Sequence, residues 1–322
     1  MKCIHVVDHG GPESLTLAEV PVPVPGPGQV LVRIAATGVN FIDVYFRTGA
    51  YKAESPTRIG SEGAGTVAEL GPQVTGLAVG DRVAYAMTRG SYADYAVVPA
   101  TQLVKIPDDV DFVTAAGVML QGMTAQYLTR STFPLGPGHT CLVHAAAGGA
   151  GGMIVQMAHR RGARVLGTVS TEAKAMVARR AGADEVIRYV DQDFEAEVKR
   201  LTDGRGVDVV YDSVGRTTFD KSLNCLKPKG MMVLFGQSSG AVPPLDPQVL
   251  AARGSLFLTR PTLAHYLLTP DEIQWRAGEV LDGLRSGDLA LHVHATFPLA
   301  AAAEAHRLLE SRATSGKIVL TT

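Results

Sequence analysis

One stretch limits the fold of this chain more than any other: TCLVHAAAGGAGG at 140–152. A short apolar run, Cys141-Leu142-Val143, leads into Ala145, Gly148 and Gly151 at three-residue spacing, and an apolar helical stretch follows at 153–158. The pattern is strand, glycine turn, helix. Small side chains let a ligand approach the backbone, and the first helical N–H groups and the positive end of the helix dipole then face a negative charge. The turn alone would also suit a tight strand-to-helix connection with no ligand. The next segment narrows the choice. After Gly162, a helix-ending residue, comes a second apolar run, RVLGTV at 164–169. Strand, crossover helix and parallel strand form the unit that a phosphate-binding turn requires. The expectation is a dinucleotide, and therefore redox chemistry.

The rest of the chain divides around this unit. Residues 1 to about 110 show no helical periodicity but hold short β-type runs at 14–17, 30–34, 65–68 and 95–98, broken by Pro and Gly as in VPVPVPGPGQV. This predicts a compact, mostly β domain. Residues 111–128 read as a helix. From Thr140 onward strands and helices alternate: candidate strands lie at 140–145, 164–169, 185–189, 207–212, 231–236 and 255–259, with helices at 172–181 and 194–201 among them. Such alternation predicts a doubly wound parallel sheet. A further helix at 300–312 precedes a last strand at 317–320, which is expected to return to the first domain. The fold class is thus α/β, with domain boundaries at 1–124 plus 262–322 and at 125–261.

Composition excludes several functions. Lys plus Arg number 30 and Asp plus Glu 31, so net charge attracts the chain to neither nucleic acid nor anionic membrane. No run of 18 apolar residues is present to span a bilayer. The N-terminus meets Asp8 and His9 too early for a secretory signal. Cys3, Cys141 and Cys225 lie far apart, without metal spacing or a disulfide framework, which points to a reducing, cytoplasmic setting. His292 and His294 alternate with Val293 and could share a strand face, but lack further ligands nearby.

The end of the second strand selects the dinucleotide. NAD sites place Asp or Glu there for the ribose hydroxyls. Here the sequence is Val169-Ser170-Thr171-Glu172-Ala173-Lys174, with Ser170 where the acid is expected. Two hydroxyls and an ammonium suit a 2′-phosphate, which a carboxylate would repel. Tyr189, at the end of the third strand, is placed to lie alongside. NADP(H) is the favoured cofactor. Glu172 is the contrary signal, being either a helix-start carboxylate facing solvent or a ribose ligand of an NAD site. Lys174 also has an ordinary alternative, as a solvated helix lysine.

With these features in place, the chain resembles the medium-chain dehydrogenase/reductase superfamily, and within it the zinc-free quinone oxidoreductases that include zeta-crystallin. Segments carrying the resemblance include GVNFIDVYFRTGAY at 38–51, GSEGAGTV at 60–67, LQGMTAQYL at 120–128, HAAAGGAG at 144–151, VVYDSVG at 209–215, FGQSSGAV at 235–242 and ESRATSGKIVL at 310–320. It runs over essentially the whole chain. It implies a Rossmann-type doubly wound sheet plus a mostly β, GroES-like catalytic domain. Two residues depart from the usual turn: Ala145 replaces its first glycine and Ala150 a common Val.

The positions matching the Cys, His and Cys zinc ligands of metal-dependent relatives are Asn40, Ser61 and Leu120, none of which replaces a thiolate or imidazole. No metal is therefore expected. Without a Lewis acid, the suited acceptors are already electron-poor: quinones, or alkenes conjugated to a carbonyl. By resemblance, Asn40 and Tyr45 are candidates to stabilise the oxyanion and Tyr51 to wall the pocket. Asn40 could instead cap a turn, Tyr45 be a half-buried helix residue, and Asp43 cap or pair locally. The resemblance implies cofactor contacts at Asn40, Phe41, Ile42, Asp43, Val44, Tyr127, Gly148, Gly149, Ala150, Ser170, Thr171, Lys174, Tyr189, Ser213, Phe235, Gly236, Gln237, Ser238 and Arg312. Arg260 is a looser candidate for the substrate side. The expected activity is NADPH-dependent quinone reduction. An NADPH-dependent alkenal or enone reductase and a non-enzymatic NADPH-binding protein are the alternatives. A homodimer through the apolar edge strand at 254–259 is the expected assembly, with no nucleic-acid or membrane partner.

Overall fold

The glycine turn joins strand Thr140–Val143 to helix Gly149–Arg160, and Gly162 ends that helix with φ +73° before strand Arg164–Val169. The structure, a computed structural model, describes residues 1–322. It divides into two units, one of Met1–Met123 with Tyr266–Thr322 and one of Thr124–His265.

The second unit holds a six-stranded sheet whose pairs are all parallel. Across the sheet the strands run Glu185–Arg188, Arg164–Val169, Thr140–Val143, Val207–Asp212, Leu226–Leu234 and Phe257–Thr259. The direction of winding reverses between Thr140–Val143 and Val207–Asp212, where such sheets open a crevice at the carboxyl ends of the strands. Every residue of Val207–Asp212 is buried, as a strand covered on both faces requires. Leu142, Leu166, Ile187, Val210 and Met232 pack there with Phe194 and Val198 of helix Phe194–Leu201.

The fifth strand begins earlier than expected and ends at Leu234, leaving 235–238 in a loop. Its first residues escape the apolar pattern because Pro228 and Gly230 interrupt it and Lys229 takes φ +65°. The edge strand is Phe257–Thr259, and Phe257 and Leu258 are 58% and 37% exposed.

The first unit is built on the eleven-residue strand Gln29–Val39, which pairs antiparallel with Glu62–Leu70, Tyr95–Pro99 and the C-terminal strand Lys317–Thr321. The tail thus returns to this unit as expected, with Ile318 opposite Val39. Two helices go beyond the sequence expectation. Phe41–Arg47 is only seven residues long, too short to show a period. Pro270–Ser286 opens on a capping box from Thr269 to Glu272 and closes at Gly287 with φ +78°. No helix is long and apolar enough to cross a membrane.

Candidate functional site

In the first unit the site grows from the junction of strand Gln29–Val39 with helix Phe41–Arg47. Asn40 is extended, and its N–H donates to Asp43 Oδ2 at 3.0 Å, an N-terminal cap that turns the chain into the helix. The Asn40 side chain is committed as well. Its Nδ2 donates to Glu62 Oε1 at 2.8 Å and to Gly38 O at 3.2 Å, and its Oδ1 accepts from Lys317 Nζ at 2.7 Å. Both amide hydrogens of Asn40, the expected oxyanion donor, are thus engaged within the protein.

Glu62 and Lys317 are both fully buried and form an ion pair. The second carboxylate oxygen of Glu62 accepts the Leu120 N–H at 2.7 Å. Gly38 makes room for the pair, since a Cβ there would collide with Glu62 Oε1 and Lys317 Cε. The three positions that the resemblance sets against zinc ligands all enter this network. Asn40 binds the pair, Leu120 offers its backbone N–H, and Ser61 Oγ donates to Asp43 Oδ1 at 2.6 Å. No group of three or more His, Cys, Asp or Glu side chains could hold a metal ion.

Asp43 begins a second chain of buried polar groups. Burial pushes its carboxyl up to about 7, against the lowering effect of the Ser61 hydrogen bond and the Lys317 charge. Tyr92 OH donates to Asp43 Oδ2 at 3.3 Å and lies 3.2 Å from His306 Nε2. Arg47 Nη1 donates to His306 Nδ1 at 3.1 Å, so the imidazole proton sits on Nε2 and faces Tyr92. Burial, with the Arg47 charge beside it, pushes His306 down to about 3 and keeps it neutral. Arg47 also holds Glu310 in a bidentate pair at 2.7 and 2.9 Å. Asp43 thus caps and pairs locally. Only 1% of its surface is exposed.

Phe41, Ile42 and Tyr45 are half-buried and Val44 is buried. The Tyr45 and Tyr51 rings lie 5.1 Å apart, and Tyr51 N–H donates to Tyr45 O at 3.0 Å. The structure brings these two candidates together.

In the second unit the expected residues gather at the strand ends. Gly148 is the N-cap of helix Gly149–Arg160, and no side chain caps it. A Cβ at Gly151 would run into Ala145 O, so the small residue is required for the turn to close. Ala145 itself takes φ +52°, a left-handed conformation that a glycine adopts at less cost. An uncapped helix start lined by Gly148, Gly149, Ala150 and Gly151 fits a phosphate.

At the second strand end, Thr171 Oγ1 accepts the Lys174 N–H at 3.3 Å and caps helix Glu172–Arg180. The Glu172 carboxylate, the contrary signal in the sequence, lies 2.8 Å from Arg179 and 3.7 Å from Arg188. Burial pushes the Lys174 ammonium below its ordinary value. Tyr189 is 48% exposed, and its N–H donates to Val169 O at 3.1 Å beside Ser170.

Past the reversal of winding, Phe235 N–H donates to Asp212 O at 2.9 Å and Ser238 N–H to Ser213 O at 3.1 Å. A Cβ at Gly236 would meet Ser213 O at 2.6 Å, so these loops lie close together only with glycine there. Tyr127, expected as a contact, is almost fully buried. Arg312 lies in the first unit, after helix Ala302–Glu310, with φ +59°. The sequence reading missed Glu62, Lys317, Arg47, Tyr92, His306, His144, Asp212 and Ser222. The available signal was a charge set inside or beside an apolar strand, as in SGKIVL and VVYD.

The alcohol dehydrogenase GroES-like domain matches residues 26–108, and a zinc-binding dehydrogenase domain matches 181–320. The quinone oxidoreductase of Pseudomonas aeruginosa is 45% identical over 321 residues, covering 99% of each chain. The chain belongs to the quinone oxidoreductases of the medium-chain dehydrogenase/reductase superfamily. The solved structure of Escherichia coli quinone oxidoreductase complexed with NADPH superposes with a TM-score of 0.97 at 40% identity, covering all of both chains. A 2-haloacrylate reductase from Burkholderia is 46% identical over 319 residues, covering 97% of this chain and 96% of its own.

Proposed function

We propose that the chain is an NADPH-dependent quinone reductase that needs no metal. The observation that carries the cofactor choice is the second strand end. Ser170 and Lys174 stand there, and the acid at the helix start, Glu172, is paired with two arginines. The names of its relatives support both quinone and NADPH. When bound, NADPH supplies the hydride.

The chain's own residues do the rest. The small residues at 148–151 hold the pyrophosphate against the helix N-terminus, and Ser170 and Lys174 take the 2′-phosphate. The Tyr45 phenol donates a hydrogen bond to the oxyanion that develops on the acceptor, and Tyr51, its ring tilted against that of Tyr45, walls the pocket. Tyr45→Phe is expected to lower kcat about tenfold or more, with the NADPH Kd unchanged within about twofold. Stopped-flow turnover and fluorescence titration check this, and an unchanged kcat removes Tyr45 from the chemistry.

The similarity to a 2-haloacrylate reductase favours a second reading, reduction of an alkene conjugated to a carbonyl. Steady-state oxidation of NADPH and NADH with 1,4-benzoquinone, a naphthoquinone and a short enone separates the two. Turnover with the enone alone overturns the quinone reading.

The edge strand Phe257–Thr259 supports a homodimer, since its exposed Phe257 and Leu258 need cover. Phe257→Asp is expected to convert a dimer to a monomer in sedimentation. A parent chain that sediments as a monomer rules this assembly out.

A further inference from the structure

His144 directly follows strand Thr140–Val143 and is 1% exposed, so it touches no ligand itself. Its Nδ1 lies 2.9 Å from Thr168 Oγ1, near the end of the next strand, and its Nε2 lies 2.9 Å from Ser222 Oγ. Its backbone N–H donates to Tyr211 O at 3.0 Å. Ser222 Oγ lies a long 3.5 Å from Asp212 Oδ2, which also accepts from Thr218 Oγ1 at 2.7 Å. The other oxygen of Asp212 accepts the N–H groups of Val214 and Gly215 at 2.7 and 3.0 Å.

A carboxylate only accepts, so Ser222 donates toward Asp212 and its oxygen is left to accept from His144 Nε2–H. Nδ1 must then accept from the Thr168 hydroxyl. Each ring nitrogen has one role, and burial keeps the imidazole in this neutral form. The next residue, Ala145, stands at φ +52°, a conformation that persists where its surroundings hold it.

We propose that His144 is a positioning residue that ties the glycine turn to the loop at 213–215 and so presets the two halves of the dinucleotide site as one. This rests on the NADPH reading above. The turn serves the pyrophosphate, while the loops at 213–215 and 235–238 lie across the reversal of winding and serve the nicotinamide half. A ligand that spans both halves gains from their fixed spacing, whereas a ligand that uses one half does not.

The test compares NADPH with 2′,5′-ADP, a half-ligand, by calorimetric titration of the full chain, alongside melting temperature. Ser222→Ala removes the acceptor of His144 Nε2–H, and with it the link toward Asp212, but leaves the Thr168 link, and His144→Phe keeps the ring shape while removing both side-chain links. Each is expected to weaken NADPH about fivefold to tenfold and to leave 2′,5′-ADP within about twofold. The double variant is expected to bind NADPH no more weakly than His144→Phe, because Ser222 acts through His144. Equal weakening of the two ligands, or unchanged NADPH binding with a lowered melting temperature, overturns the proposal. If His144→Phe does not fold, Ser222→Ala decides the question alone. A parent chain that binds neither ligand overturns the cofactor reading itself.

Discussion

Glu62→Gln alone, or Lys317→Met alone, is expected to lower the stability of the chain by about 3–5 kcal/mol, while the double variant E62Q/K317M recovers most of it. The two charges are fully buried, and each has the other as its counter-charge. Coulomb attraction between them is offset by the cost of taking both out of water, so the pair contributes little net stability. Removing one partner leaves that cost with nothing to offset it. In Glu62→Gln the Lys317 ammonium keeps Asn40 Oδ1 at 2.7 Å but loses its anion. In Lys317→Met the carboxylate keeps the Asn40 amide and the Leu120 N–H, at 2.8 and 2.7 Å, but loses its cation. The double variant buries no charge, and the amide introduced by E62Q still presents an oxygen to the Leu120 N–H. Against a typical total of about 5–15 kcal/mol, either single loss brings the chain near its folding threshold. Denaturant midpoints of the four proteins check the cycle. Single variants within about 1 kcal/mol of the parent would show that water or a rearranged side chain reaches the pair.

This network marks the boundary of what the sequence reveals. Strand Arg164–Val169 and helix Phe194–Leu201 can be read directly, because a period and a stop signal lie within a few residues of each other. The glycine turn is legible for the same reason. Helix Pro270–Ser286 carries a local signal too, the Thr269 to Glu272 capping box, which a search for apolar periods alone does not find. The Asn40–Glu62–Lys317 cluster is different in kind. Lys317 reaches Asn40 across 277 residues and Glu62 across 255. Only the register of Lys317–Thr321 against Gln29–Val39 brings them together, and a slip of one residue would turn Lys317 to the other face of the sheet. Resemblance places Asn40 at a former ligand position and suggests a free amide. The side-chain partners that use up that amide come from distant strands.

The largest functional effect is expected at the second strand end. Ser170→Asp combined with Lys174→Ala should lower the preference for NADPH over NADH by about a hundredfold or more. A charge-assisted hydrogen bond is worth about 1.5–3 kcal/mol, and the added carboxylate repels the 2′-phosphate while accepting from the ribose hydroxyls of NADH. Burial lowers the Lys174 ammonium below its ordinary value, a cost to its charged form when nothing anionic lies beside it. A dianionic phosphate beside it offsets that cost, whereas the neutral ribose of NADH does not. Glu172 cannot take over as the ribose ligand without giving up Arg179 and Arg188. Lys174→Ala alone should therefore weaken NADPH about tenfold or more and leave NADH nearly unchanged. The specificity constants for both cofactors with one quinone measure the switch, and the affinity for 2′,5′-ADP reads the phosphate contact without turnover. If the double variant keeps its preference for NADPH, the 2′-phosphate is held by other groups, of which Tyr189, beside Ser170, is the first to replace.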